Sequence, residues 1–404
     1  MRLYTGKEYL QIDMANNFGL DKFQFGGRLK WVQDNETQLE ALVEQAKEPF
    51  RFAAALMAYR KTQAGQPTGY LVGFDACASG PQIMSTWVGC KVGARNTGLT
   101  GQTRMDIYKE TVKAMDKILG KNSNYNRDAV KISLMTHYYG SKAEPKNAFG
   151  EDTPELEAFY EAQKIVAPGA SELMHHLLNA WQPFALQHTW IMPDGFFVNK
   201  KVKDMVDDKI EVDELEGHPC FIYRHTENVG LEEGISLAAD CVHSGDGFIV
   251  REMNYRCNYD RTALKRAERM LHYRLFQGIP AIGATSKIER LADQHQFISL
   301  AGAHNLTQER VNSYSYEYAY NLLKLVRQTL AKPAFPIVFI HDDFKCHANN
   351  MNIVRQTYND IFAEMANSNM INAILTMITG KPTNITKLSD DLSVEIRSSE
   401  YFLS

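Results

Sequence analysis

The 404-residue sequence contains no long apolar run and no basic stretch followed by an apolar one near its start. We therefore expect neither a membrane span nor a secretory leader, and predict a cytoplasmic protein. Its six cysteines form no Cys-x-x-Cys pair and no Cys/His cluster at zinc spacing, which favours reduced thiols over a structural zinc site. The net charge of −4 gives no overall basic excess, although a locally positive channel is compatible with it. These absences leave a globular protein long enough for two or three domains.

What the sequence does contain is a basic helical pattern from Arg127 to Gly140. At about 100° per residue, Arg127, Lys131 and Tyr139 fall on one broad side of such a helix. Arg and Lys side chains suit phosphate oxygens, and Tyr139 at the helix end can meet a sugar and base. The pattern indicates a triphosphate-binding helix that ends at Gly140. The alternative is an ordinary amphipathic helix with its charges in solvent.

Two aspartates are each expected at the end of a short apolar strand that leads towards a helix. One strand is predicted to end at Asp75, and a second, over residues 336–340, to be followed by Asp342. A sheet can bring such acids together, where two bare carboxylates repel each other. We therefore predict two Mg²⁺ ions between them, suited to nucleotidyl transfer.

A basic segment between residues 251 and 290 contains nine Lys and Arg against four acids, with Tyr255, Tyr259 and Tyr273 among them. This composition suits the phosphates and bases of a single nucleic acid strand. A solvated helix face over residues 262–274 is the alternative. Elsewhere, residues 23–29 are expected to form a strand with a glycine break.

Three motifs, in this order, resemble those of the single-subunit RNA polymerases of bacteriophages and mitochondria. Residues 75–82 resemble the first catalytic motif, residues 127–142 the nucleotide-binding helix, and residues 341–344 the second catalytic motif. The resemblance extends from about Arg28 to the last residues. It implies a helix-rich α+β chain with a right-hand polymerase fold, in which palm and fingers are present and the thumb and N-terminal domain are largely missing.

The same resemblance divides the chain. Residues 1–100 would form palm with the first catalytic motif, and residues 101–190 fingers with the nucleotide-binding helix. Residues 191–235 would correspond to the specificity hairpin. Residues 236–404 would return to the palm with the second catalytic motif and an inserted basic segment at about 248–330.

The resemblance also implies residue roles. Asp75, Asp342 and the carbonyl of Ala76 would bind the two Mg²⁺ ions. Lys131 and Tyr139 would complete the catalytic set, with Tyr139 favouring a ribose.

Substrate contacts follow in the same way. Arg127 would hold the triphosphate together with Lys131, and Gly140 would lie at the nucleotide beside Tyr139. His243 would lie near the nascent strand or the nucleotide sugar, and Arg28 would touch the template-product duplex.

The missing thumb implies a second polymerase subunit that supplies the thumb and N-terminal region. This arrangement is similar to the split, heterodimeric RNA polymerase of enquatrovirus-type phages, whose larger, catalytic subunit this chain resembles. The other implied partners are DNA template, RNA product and NTPs, in the cytoplasm of an infected bacterium. Because the acidic run over residues 204–214 suits a DNA groove poorly, a recruitment factor that binds single-stranded DNA is a further candidate.

Two alternatives stay open. A family A-like DNA polymerase shares the Arg, Lys and Tyr-Gly spacing, but such enzymes place a glutamate five residues after the metal-binding aspartate, where this chain has Gly80. A non-catalytic nucleic-acid-binding subunit with a relic palm would explain the fold without the reaction, yet both acids are retained. Asp343 replaces a small polar residue of the family, and residues 401–403 are expected to pack near the acids.

Overall fold

The computed structural model describes residues 1–120, 125–278 and 280–404. Within these ranges the protein is a helix-rich α+β fold, as the sequence predicts. None of the helices in the described ranges combines the length and apolar character needed to cross a membrane.

The first part of the chain is helical. It contains α1 (Gly6–Ala15), a π-helical turn (Asn16–Leu20), α2 (Phe25–Asp34), a 3₁₀ turn (Leu39–Gln45) and α3 (Pro49–Gln63). The Thr5 hydroxyl caps α1 by accepting a hydrogen bond from the Glu8 N–H, at 3.2 Å.

Helix α2 contradicts the strand expected over residues 23–29. Phe25, Leu29 and Val32 are buried at helical spacing and form one apolar face against the core. The two glycines, Gly26 and Gly27, lie on the open side, where no bulky side chain is needed. The helical period therefore decides the structure of this stretch.

The next part contains one strand and seven helices. These are β1 (Leu71–Asp75), α4 (Ser79–Trp87), α5 (Lys91–Asn96), α6 (Ile107–Leu119), α7 (Arg127–His137), α8 (Ala143–Phe149), α9 (Pro154–Val166) and α10 (Pro168–Asn179).

Two hairpins follow, formed by β2 (Gln187–Ile191) with β3 (Phe197–Lys201) and by β4 (Asp204–Glu211) with β5 (Cys220–Glu227). Pro193-Asp194-Gly195 between two apolar stretches predicts the first turn, and the charged segment over residues 200–213, with its return at residues 221–223, predicts the second hairpin.

The remaining chain is mostly helical around one further hairpin. It contains α11 (Ser236–Cys257), α12 (Arg261–Gln277), α13 (Lys287–His295), a 3₁₀ turn (Leu300–Ala303), α14 (Gln308–Asn312), α15 (Tyr316–Leu330), β6 (Val338–Ile340), β7 (Asp343–His347), a 3₁₀ turn (Ala348–Asn350), α16 (Met351–Asn367), α17 (Met370–Thr379) and α18 (Leu392–Arg397).

The sheet that positions both acids has the strand order β1-β7-β6, and both pairings are antiparallel. Its central strand, β7, was not expected, because the sequence analysis placed a helix soon after Asp342. Phe344 and Cys346 are buried while their neighbours are partly exposed, which is the alternation of a strand covered on one face. Asp342 therefore lies in a tight turn between β6 and β7.

Two apolar cores divide the structure. The larger one surrounds the sheet and α16, and the smaller one lies among α12, α14 and α15, with Leu264, Leu271 and Leu322 inside. Helix α11 continues unbroken to Cys257, beyond the expected start of the inserted segment near residue 248. The carbonyl of Cys257 accepts a 2.9 Å hydrogen bond from the Phe335 N–H, so the two ends of the segment between them lie together, and Phe297 within that segment packs in the larger core.

Candidate active site

Two strands bring the predicted acids together at one end of the sheet. Asp75 is the last residue of β1 and lies opposite Asp343, the first residue of β7. Asp342 precedes Asp343 in the turn, and its carbonyl accepts a 3.3 Å hydrogen bond from the Ala76 N–H. All three predicted metal-binding residues therefore meet at one end of a strand pair.

The carboxylates of Asp75 and Asp342 lie where negative charge accumulates. Enclosure by the protein, then the charges of Asp342 and Asp343, raise the pKa of Asp75 to about 7, although its outer side reaches solvent. Burial also raises the pKa of Asp342, and a hydrogen bond with Ser79 opposes that rise. Such a pair is fully ionised only beside a compensating positive charge.

The donor atoms at this strand end fit Mg²⁺. Mg²⁺ prefers carboxylate and carbonyl oxygens and keeps several waters, and the repulsion between Asp75 and Asp342 is what a divalent cation relieves. In the described part of the chain, no group of three or more His, Cys, Asp and Glu side chains is arranged to hold a metal ion. The candidate donors at this strand end are the carboxylates of Asp75 and Asp342 and the carbonyl of Ala76.

A third acid, Asp246, approaches this pair from α11. Burial, followed by the charge of Asp342, raises the pKa of Asp246 to about 6. Its carboxylate lies 4.0 Å from the His341 imidazole. Its local sequence gives no sign of this position, because only the tertiary fold brings α11 beside the turn that holds Asp342.

Helix α7 presents its predicted cations to a cleft beside Asp75. The Asn126 side chain starts the helix by accepting a hydrogen bond from the Ala129 N–H at 2.9 Å. Arg127, Lys131, Asp75 and Ala76 line the same cleft of about 620 Å³. The two cations therefore share one side, as the sequence predicts, whereas Tyr139, predicted for the same side, does not line this cleft.

Arg127 is oriented by Asp106, a residue that the sequence analysis missed. The Arg127 Nε donates to one carboxylate oxygen of Asp106 at 2.7 Å, while the other oxygen caps α6 through the Tyr108 N–H at 3.1 Å. The guanidinium also lies 4.9 Å from the centre of the Tyr108 ring. An aspartate before a helix signals a cap, but the pairing with Arg127 depends on how α6 and α7 pack.

Tyr139 follows the end of α7 and contacts residues from two other motifs. Its ring packs on His243 with 4.6 Å between centroids. A Cβ atom placed on Gly80 would lie 3.7 Å from the Tyr139 hydroxyl, and Ser79 is a hydrogen-bond partner of that hydroxyl. Tyr139, His243 and the first catalytic motif therefore form one group beside Asp342.

Gly140 allows the chain to turn sharply after Tyr139. Its φ is 85°, and a Cβ atom there would lie 3.0 Å from the carbonyl oxygen of Ile235. Any other residue would be strained at this position, whatever Gly140 itself contacts.

Arg28 is buried, with 0% of its surface exposed, on the inner side of α2. Its Nε and one terminal nitrogen donate to the carbonyls of Phe23 and Asp21, at 2.9 and 2.8 Å. Burial, followed by the charge of Arg104, lowers its pKa to about 9. The predicted duplex contact stays a prediction, and it requires α2 to uncover this side chain.

Residues 401–404 pack against the acids, as the sequence analysis expects. Leu403 pairs with Ala76 in an antiparallel bridge, and the Ser404 N–H donates to the Asp75 carbonyl at 3.1 Å. The Tyr401 ring stacks on Phe25, with 4.7 Å between centroids. The backbone that carries Asp75 is therefore held on both edges.

Comparison with known proteins finds two matches to RNA polymerases. Residues 4–164 match a family model described as DNA-dependent RNA polymerase. Over 135 residues the chain is 29% identical to the DNA-directed RNA polymerase of Pseudomonas phage phiKMV. That alignment covers 29% of this chain and 16% of the phage protein, so the chain matches only a small part of its relative's length.

The family match includes Asp75, α7 and Tyr139, and it ends before His243 and Asp342. The second half of the site is therefore connected to the first by the structure, through the pairing of β1 with β7. The part of this chain that contains the first acid and the two cations of α7 is similar to DNA-dependent RNA polymerases.

Proposed function

We propose that this chain is the catalytic subunit of a DNA-directed RNA polymerase, acting by two-metal nucleotidyl transfer on a DNA template. The observation that carries the proposal is the meeting of Asp75 and Asp342 beside a cleft lined by Arg127 and Lys131. The family match over residues 4–164 supports the same reaction. The fold would then comprise palm and fingers of a right-hand polymerase.

In the proposed reaction, different residues of the site have different roles. Asp75, Asp342 and the Ala76 carbonyl hold the ions; when bound, two Mg²⁺ supply activation of the primer 3′-hydroxyl and charge neutralisation at the leaving pyrophosphate. Arg127 and Lys131 bind the triphosphate, because the guanidinium fork and the ammonium offer complementary donors to phosphate oxygens.

Asp106 determines which way Arg127 can point. Its hydrogen bond occupies Nε, and one terminal nitrogen donates to Asp128 at 3.3 Å, so the other terminal nitrogen is left for a phosphate oxygen. Such orientation before substrate binding reduces the entropy lost when the triphosphate is positioned.

Tyr139 and His243 form the surface on which the nucleotide sugar rests. Their rings already contact each other, and Gly80 adds no side chain beside the Tyr139 hydroxyl. The absence of a side chain at Gly80 leaves room for the 2′-hydroxyl of a ribose, which a longer side chain would exclude. The product would therefore be RNA.

A second polymerase subunit would supply the thumb and N-terminal region, as in the heterodimeric polymerase of enquatrovirus-type phages, in the cytoplasm of an infected bacterium. A recruitment factor that binds single-stranded DNA is the proposed route to a promoter. Both partners fit the acidic β4–β5 hairpin, because its negative charge is better suited to contact with a protein surface than with the phosphates of DNA.

The test is extension of an RNA primer on a DNA template with Mg²⁺, comparing rNTPs with dNTPs. Three samples are assayed: the chain alone, the chain together with the proteins that copurify with it, and the Asp342→Asn variant. The exposed Asp34→Asn is a matched control for the loss of one carboxylate.

We expect extension with rNTPs, loss of it in Asp342→Asn, and retention in Asp34→Asn. Extension with dNTPs alone would favour the DNA polymerase alternative. If Asp342→Asn extended primers at the wild-type rate, the metal-binding role of Asp342 would be wrong.

A further inference from the structure

The inserted part of the chain, residues 258–334, differs in charge from the rest of the protein. It contains eleven Lys and Arg against six Asp and Glu, whereas the whole chain has a net charge of −4. A region with a positive net charge in an otherwise acidic protein favours an anionic partner.

The structure separates the cations that stabilise the fold from those that do not. Five cations of the basic segment are held by other protein groups: Arg251 by Asp194, Arg256 by Glu252 and Glu364, Arg261 by the carbonyl of Lys332, Arg274 by the carbonyl of Tyr314, and Arg290 by the carbonyl of Thr285. Two of its three tyrosines are also occupied, since Tyr255 packs against the smaller core and the Tyr259 hydroxyl donates to the carbonyls of Thr329 and Lys332. The exposed cations that remain are Lys287 of α13 and three on the outer face of α12, where Tyr273 is also exposed.

Lys265, Arg266 and Arg269 on that face are exposed to solvent. The acid of α12, Glu268, is paired with Arg327 of α15 at 3.1 Å. In the part of the chain that the structure describes, the three cations therefore stand without an acidic partner.

Two aromatic side chains continue the line of the cations. Tyr273 is 55% exposed and Phe276 is 82% exposed. At 3.6 residues per turn, the five side chains from Lys265 to Phe276 fall within a sector of about 100°, on a strip about 16 Å long. We call these five residues the α12 strip.

The neighbouring helix adds aromatic surface at the same end. Arg274 near the C-terminal end of α12 contacts the start of α15, and Glu268 contacts Arg327 near the end of α15, so the two helices are antiparallel. Tyr316 and Tyr320 of α15, 60% and 55% exposed, therefore lie at the end of the pair that carries Phe276.

We propose that the α12 strip is a binding site for single-stranded nucleic acid, separate from the candidate active site. The cations neutralise phosphates and the exposed rings stack on unpaired bases. At about 3.4 Å per nucleotide, the strip accommodates about five stacked nucleotides. The cleft that contains Asp75 and Arg127 is lined by none of the five residues of the strip.

The aromatic half of the strip favours a single strand over a duplex. The bases of a duplex are already stacked on each other, so they cannot stack on the exposed rings. Only the cations would then contribute to duplex binding. An acidic protein partner would likewise use the cations without requiring rings at stacking positions.

The proposal is tested by fluorescence anisotropy with labelled 12-nucleotide oligo(dT), oligo(U) and a 12-base-pair duplex, without NTPs or Mg²⁺. The variants of the full chain are Lys265→Gln/Arg266→Gln/Arg269→Gln and, separately, Tyr273→Ala/Phe276→Ala. Replacing three cations should make the slope of log K against log salt about 2 units shallower for single strands. Removing both rings should weaken single-strand binding by about tenfold and leave duplex binding within twofold.

The matched control is Lys30→Gln/Lys61→Gln/Lys381→Gln, which removes the same charge from scattered exposed positions. It should keep the wild-type slope. An equal loss in this control would mean that only overall charge matters, and unchanged single-strand binding in both α12 variants would leave a protein partner as the better explanation; either result overturns the proposal.

Cross-linking provides a readout that does not depend on the folding of variants. Wild-type chain irradiated with 5-iodouracil-containing single strands should give adducts at Tyr273 or Phe276, and adducts confined to other regions would contradict the proposal. Comparison of the DNA and RNA arms decides whether the ligand is a DNA strand or a transcript. Since binding is measured without catalysis, this result stands apart from the outcome of the polymerase assay.

Discussion

Helices α7 and α12 both carry cations four residues apart, Arg127 with Lys131 and Lys265 with Arg269. Both are amphipathic, and each buries an apolar face against its own core. In the sequence, either helix would be suited to phosphate.

The surroundings separate the two helices. Arg127 is fixed by Asp106 and faces a cleft that contains Asp75. Lys265 and Arg269 extend into solvent, next to exposed aromatic rings. A cation whose direction is fixed beside carboxylates can orient one phosphate group, whereas freely moving cations bind a polyanion with little geometry. Under the two proposals, the same pattern would serve catalysis at α7 and strand binding at α12.

The largest effect should come from removing an acid next to α7. Asp75→Asn should lower the rate of single-nucleotide addition by at least about 10³-fold, equivalent to about 4 kcal/mol of activation free energy, because the proposed metal site would lose one of its carboxylates. Quench-flow measurement of primer extension gives this rate. Oligonucleotide binding at α12 should be unchanged, and a parallel loss of both would remove the distinction between the two helices.

The next effect compares one cation from each helix. Arg127→Ala should lower kcat/KM for NTP by about 10²-fold, about 3 kcal/mol, because a positioned triphosphate contact is lost. Lys265→Ala should change it by less than twofold. Steady-state extension on a saturating primer-template measures both, and equal effects would contradict the division.

A smaller effect concerns the choice of sugar next to α7. Gly80→Glu should reduce the preference for rNTPs over dNTPs by about tenfold, because the added carboxylate would extend beside Tyr139. Gly80→Ala is the control, since its Cβ meets its nearest neighbour at an ordinary 3.7 Å. Competition between rNTP and dNTP on one template gives the ratio, and an unchanged ratio in Gly80→Glu would place the sugar elsewhere.

The last effect concerns stability rather than activity. The Asp13 carboxylate lies beneath β1, where it accepts hydrogen bonds from the Tyr70 hydroxyl at 2.7 Å and the Gly73 N–H at 3.1 Å. Burial raises its pKa from 3.8 to about 6 despite those bonds. The folded state therefore keeps a proton that the unfolded state releases, and stability falls as pH rises from about 4 to 6.

Relative to Asp13→Asn, the wild type should lose about 2 to 3 kcal/mol of unfolding free energy between pH 4 and 7. Urea unfolding at several pH values measures this difference. Asp34→Asn should keep the wild-type pH dependence, because that carboxylate is exposed. Parallel curves for wild type and Asp13→Asn would show that Asp13 is ionised in the folded protein throughout this range.

Local sequence was sufficient for the elements with a clear period or a clear end. Helix α7, the strand ending at Asp75 and the charged β4–β5 hairpin follow from apolar spacing and turn residues. The order of the three motifs also placed Asp75, Arg127 and Asp342 in one candidate site before any contact between them was known.

Contacts between distant segments were not predictable in this way. The pairing of Asp106 with Arg127 and the approach of Asp246 to Asp342 depend on helix packing, to which no local pattern corresponds. For the same reason, the composition of the basic segment overstates its number of exposed cations, because it does not reveal that Arg256 and Arg274 are buried. Strand β7 is a different case, because the alternation of Phe344 and Cys346 with more polar residues is visible in the sequence and indicates a strand.

The hydrogen bond between Cys257 and Phe335 has a consequence for how this protein can change over time. Because the two ends of the segment lie together, the part that carries α12, α14 and α15 can change in length, whereas Phe297 and Ser299, which contact α11, must stay in place to keep Asp246 in position. Changes in α12 and its aromatic neighbours are therefore separated from selection on the chemistry of the acids. The same junction offers a position at which an engineer can exchange one nucleic-acid-binding module for another.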